Sequence, residues 1–104
     1  MQANNDRSVN ADAAVIKTEL AFEHYCGPNS MRVRVGAFQV WYSYSTPVAF
    51  MSDDGALTVR VNDWSQVTGK HLNTIDGGSA EARKRRLDSE TFEARLASEL
   101  RRLS

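Results

Sequence analysis

The sequence has little cysteine, no excess of charge of either sign and no long hydrophobic run. Its only cysteine, Cys26, excludes a disulfide within the chain and is typical of a reducing compartment. The 13 Lys and Arg residues balance the 13 Asp and Glu residues, whereas proteins that bind nucleic acid usually carry a basic excess. No segment approaches the ~20 apolar residues of a membrane helix, and residues 1–12 do not resemble a signal peptide. We therefore expect a cytoplasmic protein without a membrane partner.

What is present is the composition of a small globular domain. The 104 residues are 41% hydrophobic and 25% charged, and they include two Trp, three Tyr and four Phe that can anchor a core. Residues 1–12 are polar and lack periodicity, which predicts a flexible N-terminal tail. Residues 13–104 are then one α+β domain, in which residues 13–25 fit either a short helix or an irregular strand.

Residues 31–61 alternate apolar and polar side chains with the period of two that is typical of half-buried strands. Short turn sequences separate the strands, so the pattern predicts a four-stranded antiparallel meander. An uninterrupted apolar run at 48–51 indicates a strand that is covered on both faces. The predicted strands are 31–35, 38–44, 48–51 and 57–61, and the predicted turns are Gly36-Ala37, Ser45-Thr46-Pro47 and Asp53-Asp54-Gly55.

Two helices, at about 63–76 and 88–103, are predicted to pack with this sheet. In the first, Asp63 is the expected N-cap, and Gly77 ends the helix. Asp88 caps the second helix, and a polar, basic linker joins the two. The apolar faces are Trp64, Val67, Thr68, His71, Leu72 and Ile75 in the first helix and Phe92, Leu96, Leu100 and Leu103 in the second.

The residues that could carry catalysis or bind a metal are few. His24, Cys26 and His71 fall short of the three or four well-spaced ligands that a zinc site requires. A small hydrolase built on Cys26 and His71 is a weak alternative, because His71 lies on the apolar helix face and suits a buried histidine with one hydrogen bond. No phosphate-binding loop is present. We expect no enzyme activity, no metal and no cofactor.

Basic residues form two candidate binding surfaces. Arg32, Arg34 and Arg60 are predicted to share one sheet face with Trp41, which pairs across the hairpin with Arg32 and could make a cation–π contact. Such a face can bind single-stranded nucleic acid, but it can also be a solvated or helix-covered face. The second surface is the run Arg83, Lys84, Arg85 and Arg86, which suits phosphates, an acidic partner or a solvated linker.

Two segments carry a family resemblance. The first is YSYSTPVAF at 42–50, and the second combines WS at 64–65, TGKHLN at 68–73 and IDGG at 75–78. With the closing segment LDSETF at 87–92, they resemble a family of short uncharacterised proteins that bacteriophages and other mobile elements encode. The resemblance implies a phage or mobile-element origin, and hence the cytoplasm of a bacterial host, and brings no activity. Within the second segment, Lys70 and Asn73 point away from the apolar face, and together with Gln66 they are candidate binding residues.

These observations predict a non-enzymatic phage or mobile-element accessory protein that binds a host or phage protein, as a regulator or an inhibitor. The alternative is a nucleic-acid-binding module that uses the arginine-lined face and the basic run. Affinity that falls steeply with salt would favour the alternative. A homodimer through the last helix or an open sheet edge is compatible with either function.

Overall fold

A computed structural model describes residues 20–103, which form an α+β fold around one five-stranded antiparallel sheet with the strand order β1-β2-β3-β4-β5. The strands are β1 (Leu20–Glu23), β2 (Ser30–Val35), β3 (Phe38–Ser43), β4 (Thr46–Met51) and β5 (Leu57–Val59). The helices are α1 (Gln66–Asp76), α2 (Ala80–Lys84) and α3 (Ser89–Leu103). The predicted tail at 1–12 lies outside the described residues.

The β2–β3 hairpin confirms its prediction residue by residue. Gly36 adopts a φ of 60°, which places it in the left-handed region that suits the first central position of a tight turn. Val35 pairs with Phe38, and Arg32 pairs with Trp41. A two-residue loop fixes the register of both strands, which is why the sequence was sufficient here.

The prediction of four strands misses β1, which pairs with β2 at one edge of the sheet. Leu20 and Phe22 alternate with Ala21 and Glu23, but four residues are too few to distinguish a strand from a helical turn. Of the ambiguous stretch 13–25, residues 20–23 are therefore strand, and the part before Leu20 is outside the described residues.

The turn between β3 and β4 also differs from its prediction. It consists of Tyr44 and Ser45, whereas Pro47 already lies in β4 and pairs with Tyr42. The register shifts here, because Trp41 pairs with Ala49 while Tyr42 pairs with Pro47. This irregularity explains how β4 accommodates a proline, which cannot donate a ladder hydrogen bond.

The N-cap of α1 is Ser65 instead of the predicted Asp63. The Ser65 hydroxyl accepts from the backbone N–H of Thr68 at 3.3 Å, while the Asp63 carboxylate accepts from the Ser89 hydroxyl at 2.6 Å. At the other end Gly77, with a φ of 88°, terminates the helix as predicted. Both Ser and Asp are good caps, and the bond between Asp63 and the distant Ser89 is one that no local pattern shows.

The predicted linker at 79–86 contains the short helix α2, which begins at the Ser79 N-cap. The Asp88 carboxylate caps α3 as expected, because it accepts from the backbone N–H of Thr91 at 2.9 Å. Leu103 in the last turn is 47% exposed, so the apolar stripe of α3 is buried only in its first half.

Helices cover both faces of the sheet. On one face, Phe92 and Leu96 of α3 pack in a buried cluster with side chains of β3 and β4, namely Phe38, Val40 and Phe50. On the other face, Leu72 of α1 packs with Trp41, Val48, Ala49 and Val59. Val48, Ala49 and Phe50 are all buried, which confirms that β4 is covered on both sides.

Candidate binding groove at the β3–β4 turn

Two adjoining cavities lie between the β3–β4 turn and the N-terminal half of α1, and they share Tyr44 as a common wall. The first cavity has a volume of about 340 Å³, and the second has a volume of about 280 Å³. We call them together the Tyr44 groove. The first cavity is lined by Ser43, Tyr44, Thr46, Val48, Trp64, Ser65 and Thr68, and the second by Cys26, Pro28, Asn29, Tyr44, Val67, Lys70 and His71.

Three large apolar side chains along the Tyr44 groove are open to solvent. Tyr44 is 52% exposed, Trp64 is 47% exposed and Val67 is 41% exposed. Trp64 and Val67 were predicted to face the core. Trp64 precedes the Ser65 N-cap, so the helical periodicity does not apply to it, and Val67 lies in the first turn of α1. Adjacent exposed aromatic and aliphatic groups are typical of surfaces that bind a partner.

Tyr44 is held in an unusual backbone conformation. Its φ of 57° lies in the left-handed region, which costs a residue with a Cβ atom about 1–2 kcal/mol. The Tyr44 N–H donates to the carbonyl oxygen of Asn29 at 2.7 Å, so a second loop stabilises this turn. Such conformations persist where the surrounding structure enforces them, and they concentrate at functional sites.

Polar side chains form the floor between the two cavities. The Ser43 hydroxyl shares hydrogen bonds with the His71 Nδ1 atom at 2.7 Å and with the Thr68 hydroxyl at 3.0 Å. All three residues are buried, and burial lowers the pKa of His71 below its ordinary value, which favours the neutral ring. This confirms the buried histidine that the sequence predicts, and it fixes α1 to the end of β3.

Arg60 positions Trp64 at the rim of the groove. The centre of the Arg60 guanidinium lies 4.7 Å from the centroid of the Trp64 ring and 5.3 Å from that of Phe92. The same group donates to the Ser89 hydroxyl and, at 3.5 Å, to the Glu93 carboxylate. Arg60 is buried, so it acts as a fixed support that joins the groove to α3.

The predicted arginine-lined face does not form as expected. Trp41 pairs with Arg32, but the indole is buried under α1, and the Arg32 guanidinium makes an ion pair with Glu23. Arg34 is half-buried on the same sheet face. Trp41 pairs with Ala49, and Ala49 pairs with Val59, so these three side chains share one sheet face. Arg60 follows Val59 along the strand and therefore points to the opposite face. The apolar run in β4 shows no alternation. The sequence pattern therefore could not show whether Arg60, after this strand, shares a face with Arg32 and Arg34, which precede it.

The basic run divides into exposed and buried members. Arg83, Lys84 and Arg85 are exposed on or just after α2. Arg86 is buried against Asp76, and its Nε and one terminal nitrogen each donate to a carboxylate oxygen at 2.8 Å. Burial alone would raise the pKa of Asp76, but the hydrogen bonds from Arg86 and from the Gly78 N–H prevail and lower it.

Of the two outward residues proposed on α1, Lys70 is exposed and lines the second cavity. Asn73 is half-buried, and its side-chain oxygen accepts from Arg86 at 3.1 Å. Lys70 is therefore placed to contact a partner in the groove, whereas Asn73 stabilises the end of α1.

Cys26 and His71 lie on the same cavity wall, but no bond is found between them in the part of the chain that the structure describes. The Cys26 sulfur accepts from the Thr74 hydroxyl at 3.2 Å, while the His71 Nδ1 atom is occupied by Ser43. Among residues 20–103, no group of three His, Cys, Asp or Glu side chains could hold a metal ion. The same residues contain no helix that is long and apolar enough to span a bilayer.

The segments that carried the family resemblance meet at the Tyr44 groove. Residues 42–50 supply the turn and one wall, and residues 64–73 supply Trp64 and the first part of α1. Periodicity missed Tyr44 and Trp64, because it assigned the first to a strand and the second to the core. Only the resemblance selected both segments.

A family model covers residues 3–92, which is most of the chain, and its description is a family of unknown function, DUF8033. The chain belongs to this family. The match to DUF8033 includes every strand, α1 and α2, and it ends within α3. No curated protein and no solved structure matches the chain.

Proposed function

We propose that this chain is a non-enzymatic binding module that holds a segment of a partner protein in the Tyr44 groove. The observation that carries the proposal is the exposed trio of Tyr44, Trp64 and Val67 around two adjoining cavities. Each is held by a rigid element: a strained turn, a buried arginine and a capped helix. Rigid aromatic side chains bind partners at a low entropic cost.

The charge of the groove favours protein over nucleic acid. Among the residues that line the two cavities, Lys70 is the one with a formal charge. Nucleic-acid surfaces need several cations, because each phosphate contact is electrostatic. Two of the predicted cations, Arg60 and Arg86, are buried in pairs with other side chains, and the aromatic Trp41 is covered.

The polar floor supports binding better than catalysis. The hydroxyl of Ser43 and the ring of His71 are buried, and Ser43 is also bonded to Thr68. A nucleophilic hydroxyl must reach the substrate, and a general base must accept the proton of that hydroxyl while it attacks. Burial keeps both groups from a substrate. The Ser43–His71 pair therefore suits a structural joint between β3 and α1.

The resemblance to phage and mobile-element proteins supports a role as an accessory protein in a bacterial host cell. A small module without catalysis affects its host by occupying a surface of another protein, as a regulator or an inhibitor. We infer that the partner is a host or phage protein.

The test is affinity capture from host lysate, with and without nuclease, followed by identification of the partner by mass spectrometry. We expect Tyr44→Asn and Trp64→Ser each to weaken binding of the identified protein at least tenfold. Leu103→Ser is the matched control, because Leu103 is as exposed as Trp64, at 47%, and lies at the far end of α3. If Tyr44→Asn and Trp64→Ser bind the partner as tightly as Leu103→Ser does, the partner does not bind in the groove.

A second candidate function is nucleic-acid binding through Arg83, Lys84 and Arg85, which are consecutive and exposed. In the same capture experiment, this function requires recovery of nucleic acid that nuclease abolishes. It also requires Arg83→Ala with Arg85→Ala to weaken that recovery and to reduce the salt dependence of affinity. Unchanged recovery in the double variant would exclude the candidate.

A further inference from the structure

We propose that the β1 edge of the sheet is a homodimer interface, in which a second copy of this chain pairs its own β1 antiparallel to the first. The inference is independent of the Tyr44 groove, which lies at the β3–β4 turn. It depends on a difference between the two edges of the sheet. The chain covers one edge with its own backbone, and the described residues leave the other without a neighbouring strand.

The covered edge is β5. Its outer side meets Leu87, which forms a parallel bridge with Arg60. The Leu87 N–H donates to the Val59 carbonyl oxygen at 2.8 Å, and the Val61 N–H donates to the Leu87 carbonyl oxygen at 2.8 Å. The Val59 carbonyl oxygen and the Val61 N–H are therefore bonded within the chain, which hinders the pairing of a further strand at this edge.

The other edge is β1, whose neighbour in the sheet among residues 20–103 is β2 alone. Leu20 is 60% exposed and Phe22 is 62% exposed, and Val35, which pairs with Leu20, is 46% exposed. These side chains share one sheet face, and α3 packs farther along that face against β3 and β4. Unpaired edges are usually protected by charges, prolines or bulges, because they otherwise pair with another chain.

The chemistry of β1 favours a second copy over a charged partner. Its one charged side chain, Glu23, makes an ion pair with Arg32, so β1 itself presents no unpaired charge to a second β1. Antiparallel pairing about a two-fold axis places identical apolar side chains on the same face of a continuous ten-stranded sheet, twice the five strands of one copy. The arrangement satisfies the backbone at the edge and covers Leu20 and Phe22 together.

The interface is small, which sets the expected affinity. Stable dimers bury about 800 Å² on each partner, and one four-residue strand with three apolar side chains supplies less than this. We therefore expect a dimer with a Kd of the order of 10–100 µM, formed in rapid exchange with the monomer.

The test is sedimentation velocity of the full chain from about 1 µM to about 500 µM, a range that spans the expected Kd. We expect the wild type to change from monomer to dimer across the range, and Phe22→Asp to remain monomeric, with Kd raised at least tenfold. Leu20→Lys is the second variant. Both residues are exposed, so folding should be kept, and the thermal unfolding midpoint of each variant checks this. Trp64→Ser is the control, and we expect it to dimerise with the same Kd as the wild type.

Hydrogen exchange on the same samples locates the interface. Protection of the β1 amides that increases with concentration in the wild type, and not in Phe22→Asp, supports the proposal. A monomer at every concentration would overturn it. A dimer that persists in both β1 variants would place the interface elsewhere and overturn the proposal as well.

Discussion

At the scale of single residues, Tyr44 best separates binding from stability. Its backbone is strained, its ring is half exposed, and it forms part of both cavities. A residue kept only for stability would relieve the strain, since Gly or Asn adopts a positive φ more easily. The ring centroid lies 6.2 Å from that of His71, so it makes one intramolecular ring contact and leaves most of its surface for a partner.

We predict that Tyr44→Asn changes the free energy of unfolding by less than about 1 kcal/mol, because relief of the left-handed strain offsets the lost ring contact. The same variant should lose at least tenfold in partner affinity. Urea denaturation measures the first quantity, and titration with the identified partner measures the second. A loss of stability well beyond 1 kcal/mol, with affinity unchanged, would mean that Tyr44 is structural.

Single residues also show where sequence reasoning succeeded. His71 was predicted as a buried histidine with a hydrogen bond, because its helix position is apolar on the neighbouring turns. Trp64 was assigned to the core by the same periodicity, but it precedes the Ser65 N-cap and is 47% exposed. It lies over the Arg60 guanidinium, and this contact has no local signature in the sequence.

At the scale of elements, short turns were predictable and distant partners were not. The Gly36 hairpin fixed its register locally, whereas Ser65 is the N-cap of α1 and Asp63 accepts from the distant Ser89. The uniformly apolar β4 concealed which sheet face Arg60 occupies. Arg86 is the clearest case, since a run of four basic residues gives no sign that one of them is buried with Asp76.

We predict that Arg86→Ala lowers the free energy of unfolding by about 3–5 kcal/mol, because it leaves the buried Asp76 carboxylate without its partner. Arg83→Ala is the matched control in the same basic run, and we expect a change within about 0.5 kcal/mol because Arg83 is exposed. Chemical denaturation of both variants measures the difference. If both variants change the free energy of unfolding by a similar small amount, Arg86 has no structural role and belongs with the exposed basic residues.

At the scale of the whole molecule, helices occupy both sheet faces, and the surfaces on which our proposals depend are the Tyr44 groove, the α2 cations and the β1 edge. This distribution explains why overall charge and composition gave little information on function. The buried polar groups are equally informative, because neutral His71 and ionised Asp76 each join α1 to another element. Their pKa values, both lowered in the fold, connect stability to pH.

Burial lowers the pKa of His71 in the folded chain, whereas its pKa in the unfolded chain is about 6.5. The unfolded chain therefore binds the proton more tightly. The stabilisation is therefore complete above about pH 6.5 and decreases as the pH falls through this value towards the lower native pKa. The slope should reach up to about 1.4 kcal/mol per pH unit for one proton. The corresponding loss for Asp76 occurs only below about pH 4, which separates the two effects.

We expect His71→Gln to be less stable than the wild type at pH 7, because the packed ring is lost, and to have a flatter stability profile between about pH 7 and pH 5. Urea denaturation across this interval measures both. His24→Gln is the control, since it removes the exposed histidine and leaves His71 and its bond to Ser43 in place. A slope that disappears in His24→Gln and persists in His71→Gln would contradict the assignment. A slope that only His71→Gln removes would show that protonation of His71 destabilises the fold. Partner affinity should then fall over the same pH interval, because Ser43 and His71 line the two cavities of the groove.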